Sequence, residues 1–211
     1  MKRFITFEGS EGCGKTTQVR LAAAWLAARG LPVLATAEPG GTPLGTRIRK
    51  LLLNRGPIGI GAEAELLLFA AARAQHVRQA ILPALEAGQW VLCDRFADAT
   101  LAYQGYGRGL DADFIRSLNA FSALSLTPDR TLLFDIPPEA GLARARRRTE
   151  GILPERAEDR FEHEAIPFHR RVREGYLSLA AREPGRFAVI DGAADVATVQ
   201  EEVRRQLEPL L

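Results

Sequence analysis

The chain has 211 residues, of which 46% are hydrophobic and 26% are charged, and its formal net charge is +2. These values are typical of one globular domain and argue against a chain whose overall charge attracts nucleic acid or a membrane surface. The two cysteines are too few for a disulfide framework, no signal pattern precedes the segment RFITFEG, and no apolar run is long enough to span a membrane, so we expect a cytoplasmic protein.

Strands and helices alternate along the chain. Short apolar runs predict five strands, at residues 3–8, 31–37, 90–94, 131–135 and 187–191. Helical periodicity predicts helices at residues 15–29, about 44–53, 62–87 and about 196–207, and we expect Pro83 to bend the third of these. Because the strands are apolar on both faces, this alternation predicts a parallel sheet covered by helices on both sides, in one domain that spans residues 1–211.

The segment GSEGCGKT, between the first predicted strand and the first predicted helix, matches the phosphate-loop pattern G-x-x-x-x-G-K-[ST]. Its glycines allow the backbone to fold around phosphates, Lys15 can reach the β- and γ-phosphate oxygens, and the Thr16 hydroxyl can bind Mg²⁺. We therefore predict that ATP binds with Mg²⁺ at this loop. The predicted ATP-binding residues are Gly9, Ser10, Glu11, Gly12, Cys13, Gly14, Lys15, Thr16 and Thr17.

Two classes of phosphate-loop protein remain open at this point, a small kinase and an ATPase or switch that acts through a protein partner. The chain has no guanine-binding N-K-x-D segment, and Asp94 and Asp135 are followed by Arg95 and Ile136 rather than by a water-activating Glu. A kinase needs a second anion site and a means of excluding water. Single arginines outside the loop and the Arg-rich segment at residues 144–160 suit both needs, so the kinase is favoured.

Five segments resemble the thymidylate kinase family, whose members convert dTMP to dTDP with ATP. They occur in the family's order and are FEGSEGCGKTTQ (7–18), EPGGTPLGTRIRKLLL (38–53), FAAARAQH (69–76), CDRFADATLAYQGYGRG (93–109) and FDIPPEAGLARAR (134–146). The resemblance implies a nucleoside-monophosphate-kinase fold, with three α/β/α layers, a five-stranded parallel sheet and a mobile lid. It also implies small-molecule substrates, ATP and dTMP, and a homodimer. A kinase for another nucleoside monophosphate remains the alternative within the class.

The carboxylate of Glu11 is unexpected in a loop that binds phosphate, because it opposes the positive field of the loop unless it faces the acceptor. In the family, the acid at this position approaches the 3′-hydroxyl of the deoxynucleotide, and a carboxylate can accept such a bond strongly. Arg95 follows Asp94 at the carboxyl edge of the sheet, where α/β proteins bind ligands. The resemblance makes Arg95 the central catalytic arginine on the dTMP phosphate, while Asp94 places Mg²⁺ through water.

The resemblance also implies a pocket for the thymidine part of the acceptor. Phe69 and Arg73 lie four residues apart on one helix face, so that the ring can stack on the base while Arg73 donates to O4. Gln104 can pair with the imide edge, and Tyr103 closes the sugar pocket against a 2′-hydroxyl. The predicted dTMP-binding residues are Glu11, Glu38, Arg49, Phe69, Arg73, Arg95, Tyr103 and Gln104. One departure from many bacterial members is Ala37, where they carry Arg.

The phosphate loop has no arginine at positions 10–13, so another segment must supply positive charge to the transferring phosphoryl group. We predict that residues of about 144–160 form a lid that closes over ATP and supplies it, with Arg148, Arg156 and Arg160 as candidates. The predicted catalytic residues are then Lys15, Asp94, Arg95, Arg148, Arg156 and Arg160. We expect His76, His163 and His169 at ordinary surface or boundary positions.

Overall fold

A computed structural model describes residues 3–53, 59–149 and 160–211, except for the side chains of residues 148 and 149. The strands of its single described sheet are β1 (Phe4–Glu8), β2 (Val33–Ala37), β3 (Trp90–Asp94), β4 (Arg130–Asp135) and β5 (Phe187–Asp191). They are all parallel and lie in the order β2-β3-β1-β4-β5. The predicted five-stranded parallel α/β fold is therefore confirmed, and each strand lies within two residues of its predicted bounds.

Helices fill the intervals between the strands. They are α1 (Lys15–Ala27), α2 (Pro43–Leu53), α3 (Ala62–His76), α4 (Leu82–Glu86), α5 (Ala97–Thr100), α6 (Ala112–Ser122), α7 (Pro138–Thr149), α8 (Ile166–Arg182) and α9 (Val196–Leu207). Two π-helical segments, Val77–Ile81 and Leu101–Gly107, continue α3 and α5. The predicted helix at 62–87 is thus one continuous run. Its irregular turn precedes Pro83, which has no N–H for a regular helical bond.

The side chains of β1 alternate between the two faces of the sheet and therefore contact two separate halves of the core. Ile5 and Phe7 point to the face covered by α1 and α9, where Phe7 stacks on Phe134 with ring centroids 5.8 Å apart. The side chains of Phe4 and Glu8 point to the opposite face, which α8 and the π-helical segments cover. A central strand therefore carries one buried carboxylate, Glu8, on the face that leads to α8.

The carboxyl ends of the strands meet at one edge of the sheet. Asp94 of β3 pairs in register with Phe7 of β1 and with Ala37 of β2, and Asp135 of β4 pairs with Asp191 of β5. The loops after β1, β2 and β3 therefore start side by side, which brings distant segments of the chain to one site. No helix within the described ranges combines the length and apolar character needed to cross a bilayer.

Candidate active site

The phosphate loop joins β1 to α1 and has the backbone that its glycines permit. Gly9, Gly12 and Gly14 all have positive φ, and a Cβ on Gly12 would lie 1.9 Å from the carbonyl oxygen of Gly141. The Lys15 ammonium donates to the Gly9 carbonyl at 3.0 Å and to the Ser10 carbonyl at 2.8 Å. No side chain caps the N-terminus of α1, so its N–H groups are available to an anion.

Two hard oxygen ligands meet beside this loop. The Thr16 hydroxyl, at the start of α1, donates a hydrogen bond of 2.5 Å to Asp94 Oδ2, at the end of β3. A hydroxyl and a carboxylate are ligands that Mg²⁺ prefers. The donor set at this point therefore fits a magnesium ion that arrives with a nucleotide.

A cavity of about 410 Å³ opens beside the phosphate loop. Its walls come from the loop, from the segments after β2 and β3, from α2 and α3, and from the π-helical segment at Leu101–Gly107. All eight predicted dTMP-binding residues line it, together with four of the predicted donor-side residues. These are Glu11, Glu38, Arg49, Phe69, Arg73, Arg95, Tyr103 and Gln104, with Gly12, Lys15, Thr16 and Asp94.

Glu11 is held by several groups inside the cavity wall. Its Oε1 atom accepts from the Tyr103 hydroxyl at 2.6 Å and from Arg95 Nη2 at 3.2 Å. Nδ1 of His169 lies 3.3 Å from Oε2, within ion-pair distance but not aligned for a hydrogen bond. Burial alone raises the pKa of Glu11, but His169, Arg95, Tyr103 and Lys15 outweigh it and lower the pKa to about 2. Glu11 is therefore a carboxylate at neutral pH.

Arg95 has an unusual backbone that directs its side chain into the cavity wall. Its φ of 70° is rare for a residue other than glycine, and its N–H donates to the Phe7 carbonyl at 2.9 Å. The guanidinium lies 4.8 Å from the ring centre of Tyr103 and donates to the Tyr176 hydroxyl at 3.3 Å. Burial lowers the pKa of Arg95, but the tyrosines and Glu11 raise it well above its usual value. The guanidinium of Arg95 therefore stays positively charged beside the cavity.

Glu8 is joined to Arg95 through Tyr176 and was not among the predicted site residues. Its carboxylate accepts from the Tyr176 hydroxyl at 2.8 Å and from the Phe96 N–H at 2.7 Å. Burial and the neighbouring Asp98 raise its pKa to about 7. Tyr176 therefore links this buried acid to the guanidinium of Arg95. A single acid at the end of a largely apolar strand was the only sequence signal for Glu8.

Arg73 is fully buried and oriented from several sides. Its Nε donates to Glu38 at 2.8 Å, Nη1 donates to Asn119 at 2.6 Å, and Nη2 donates to the Thr100 hydroxyl at 2.7 Å. Nδ1 of His76 lies 3.0 Å from the other oxygen of Glu38. The predicted Glu38 and Arg73 are thus ion partners of each other, and Asn119 and Thr100 are additional residues of this part of the site.

Arg49 and Phe69 also lie in the cavity wall. Arg49 Nη1 donates to the Pro39 carbonyl at 3.1 Å, which places α2 against the segment after β2. The ring of Phe69 is half-buried, and its centroid lies 6.2 Å from that of Phe161. Ala37, the departure from many bacterial members, also lines the cavity. Phe161 is a further lining residue that the sequence did not point to.

Arg160 lies at the start of a 3₁₀ turn, Arg160–His163, and makes contacts outside the cavity. Its Nη2 donates to Glu65 at 2.6 Å, and its Nε donates to the Leu52 carbonyl. Arg160 does not line the cavity. Of the other predicted lid arginines, Arg156 and the side chain of Arg148 lie outside the described residues.

Two of the three histidines are not where we expected them. His76 and His169 are buried, with 0% and 1% of their surface exposed, and only His163 is exposed. His76 lies one turn beyond Arg73 on the same helix face, and His169 lies two turns before Tyr176 on α8. The available sequence signal was helical spacing, which places His76 on the face of the predicted Arg73 and His169 on that of the aromatic Tyr176. The expectation of a surface or boundary position was wrong for both histidines.

Comparison with known proteins agrees with this geometry. Residues 7–203 match the sequence profile of the family described as Thymidylate kinase. The thymidylate kinase of Syntrophus aciditrophicus is 58% identical over 210 residues, covering 100% of this chain and 96% of that protein. That of Desulfovibrio desulfuricans is 52% identical, covering 99% and 96%. The crystal structure of thymidylate kinase from Ehrlichia chaffeensis matches with a TM-score of 0.76 at 35% identity and covers 97% of each chain. The chain belongs to the thymidylate kinase family.

Proposed function

We propose that the protein transfers the terminal phosphoryl group of ATP to dTMP, giving dTDP and ADP, in the synthesis of dTTP. The observation that carries this proposal is the cavity of about 410 Å³, lined both by the phosphate-loop residues Lys15 and Thr16 and by side chains suited to a pyrimidine nucleotide. The protein is an enzyme of the kinase class.

On the donor side, the loop from Gly9 to Thr17 binds the ATP phosphates through backbone N–H groups and the N-terminus of α1. The Lys15 ammonium, which the Gly9 and Ser10 carbonyls now hold, exchanges those oxygens for phosphate oxygens. Thr16 and Asp94 would hold Mg²⁺, which offsets phosphate charge when it is bound with ATP.

On the acceptor side, Arg95 binds the dTMP phosphate and reduces the repulsion between the two anions. Arg49 is the second cation for this phosphate, because its position on α2 brings it to the same cavity. Glu11 accepts a hydrogen bond from the 3′-hydroxyl of the deoxyribose. No general base is required, since the acceptor is already an ionised phosphate and the transfer depends on positioning and charge.

The base is recognised by a stacking ring and two polar side chains. Phe69 covers one face of the pyrimidine, Arg73 donates to O4, and Gln104 faces the imide edge. Tyr103, whose hydroxyl is bound to Glu11 at 2.6 Å, fills the space that a 2′-hydroxyl would need. Glu38 already orients Arg73 before dTMP binds, so that little side-chain entropy of Arg73 is lost on binding.

The lid and the oligomer complete the proposal. Arg148 and Arg156 are the arginines that we assign to the ATP phosphates, because Arg160 is bonded to Glu65 on α3.

We further propose a homodimer, as the family resemblance implies. Sedimentation of the purified protein measures its mass in solution directly.

A nucleotide panel tests the function. The protein is incubated with ATP and Mg²⁺ and with dTMP, dUMP, dCMP, UMP, CMP or dGMP, while ADP release and diphosphate formation are measured. ADP release should be slow with ATP alone and rise sharply with dTMP, and Lys15→Ala should abolish the rise. Equal ADP release with and without every monophosphate would indicate an ATPase or switch instead. A maximal rate with another nucleotide would make the protein a different monophosphate kinase.

A further inference from the structure

Glu65 is a buried acid that has no part in the function described so far. None of its surface is exposed, and it does not line the cavity. Its Oε1 accepts from Gln104 Nε2 at 2.8 Å and from Arg108 Nε at 3.2 Å. Its Oε2 accepts from Arg108 Nη2 at 3.1 Å and from Arg160 Nη2 at 2.6 Å. One carboxylate of α3 thus joins a cavity residue to two arginines from distant parts of the chain.

The two arginines keep this carboxylate ionised. Burial raises the pKa of Glu65, but the hydrogen bonds from Arg108, Gln104 and Arg160 outweigh it and hold the pKa below its usual value. Arg108 is in turn paired with Glu164, whose carboxylate lies 2.6 Å from Nη2. At neutral pH, Glu65 therefore has no proton to donate, and each of its oxygens can only accept.

An acceptor-only partner determines which end of the Gln104 amide faces it. The amide nitrogen must point to Glu65, because the amide oxygen would meet a second negative oxygen there. Gln104 lines the cavity and is itself 99% buried, so its carbonyl oxygen is the end left for a bound base. A neutral amide without this partner would be free to turn either end toward the ligand.

We propose that Glu65 is a positioning residue for base selectivity, which holds the Gln104 amide with its carbonyl oxygen toward the pyrimidine. Thymine and uracil carry an N–H at N3 that can donate to this oxygen. Cytosine carries a bare nitrogen at N3, which would meet the carbonyl as one acceptor against another. The site built in this way favours imide bases over cytosine. The proposal rests on the proposed function, because it assumes that the base of the acceptor faces Gln104.

Glu65→Gln tests the proposal, because it keeps the size of the side chain but can present either a donor or an acceptor to Gln104. The measurement is kcat/KM for dTMP and for dCMP, with ATP saturating, and KM for ATP. The ratio of dTMP to dCMP should fall by about tenfold or more, through KM for the monophosphates, with KM for ATP unchanged. The matched control is Glu164→Gln, which also removes a carboxylate partner of Arg108 but does not touch Gln104. Its ratio of dTMP to dCMP should remain that of the wild type.

Glu65→Asp covers the case in which Glu65→Gln does not fold, as judged by circular dichroism. Asp keeps the charge for the two arginines but withdraws the carboxylate by about 1.5 Å, beyond hydrogen-bond distance of Gln104. It should also raise KM for dTMP and lower the dTMP to dCMP ratio. An unchanged ratio in either folded variant overturns the proposal, as does an equal fall in Glu164→Gln. If the wild type phosphorylates neither nucleotide, the proposed function fails and not this inference alone.

Discussion

Replacing Glu11 with Gln changes the charge at the centre of the site while keeping its shape. The carboxylate accepts from Tyr103 at 2.6 Å and from Arg95 at 3.2 Å, and His169 lies 3.3 Å from its second oxygen. The amide oxygen of Gln can still accept from Tyr103, so the main loss is the negative charge that faces Arg95. A buried guanidinium would then lack its closest anion.

The pKa of Glu11 sets the size of the effect. The folded protein lowers this pKa from 4.5 to about 2, because the groups around the carboxylate favour its ionised form more than burial opposes it. A difference of about 2.5 pKa units corresponds to a free energy on the order of 3 kcal/mol. Since the folded pKa lies below the unfolded one, this stabilisation is fully present above about pH 4.5 and is lost as the pH falls toward 2.

Two assays follow from this magnitude. Urea unfolding at pH 7 should show Glu11→Gln to be less stable than the wild type by up to about 3 kcal/mol, and the difference should shrink below pH 4.5. Steady-state kinetics should show kcat/KM for dTMP lower by about ten- to a hundredfold, because the 3′-hydroxyl loses a hydrogen bond to a charged acceptor, with KM for ATP little changed. The control is Glu139→Gln, which removes an exposed carboxylate paired with Arg170. If Glu11→Gln unfolds like the wild type at pH 7, or if only KM for ATP changes, our account of this carboxylate is refuted.

Three further predictions concern catalysis, the lid and pH. Arg95→Ala should lower kcat with dTMP by about a hundredfold or more while ATP binding, measured by calorimetry, changes little; near-normal turnover would remove Arg95 from the mechanism. Arg148→Ala and Arg156→Ala should each lower kcat at saturating substrates, whereas Arg160→Ala should mainly raise KM for dTMP, because its partner is the buried acid on α3. Near-normal kcat in the first two, alone and combined, would contradict the lid assignment. Burial raises the pKa of Glu8 to about 7, so the stability of the wild type should fall by on the order of 3 kcal/mol as the pH rises from about 4.5 to 7, and Glu8→Gln should flatten this profile in thermal unfolding. A wild-type profile as flat as that of the variant would contradict the raised pKa.

Those parts of the protein that depend on short-range order were predictable from the sequence. The bounds of β3 and β5 and the position of the phosphate loop agree with the structure, because backbone geometry, glycine placement and apolar periodicity act over a few residues. The parallel order of the strands then places the carboxyl end of every strand at one edge of the sheet. The eight dTMP-binding residues, which the resemblance to the thymidylate kinase family implied, all line one cavity there.

The partners of the buried charges were decided only by the tertiary structure. Tyr176 reaches Glu8 across 168 residues of chain, and Arg160 reaches Glu65 across 95. A periodic pattern indicates which side of a helix is buried, but it does not indicate which distant group will lie against that side. An isolated buried charge is costly, so each of these residues needs a partner, and only the packing of α3, α8 and the sheet determines which one it has.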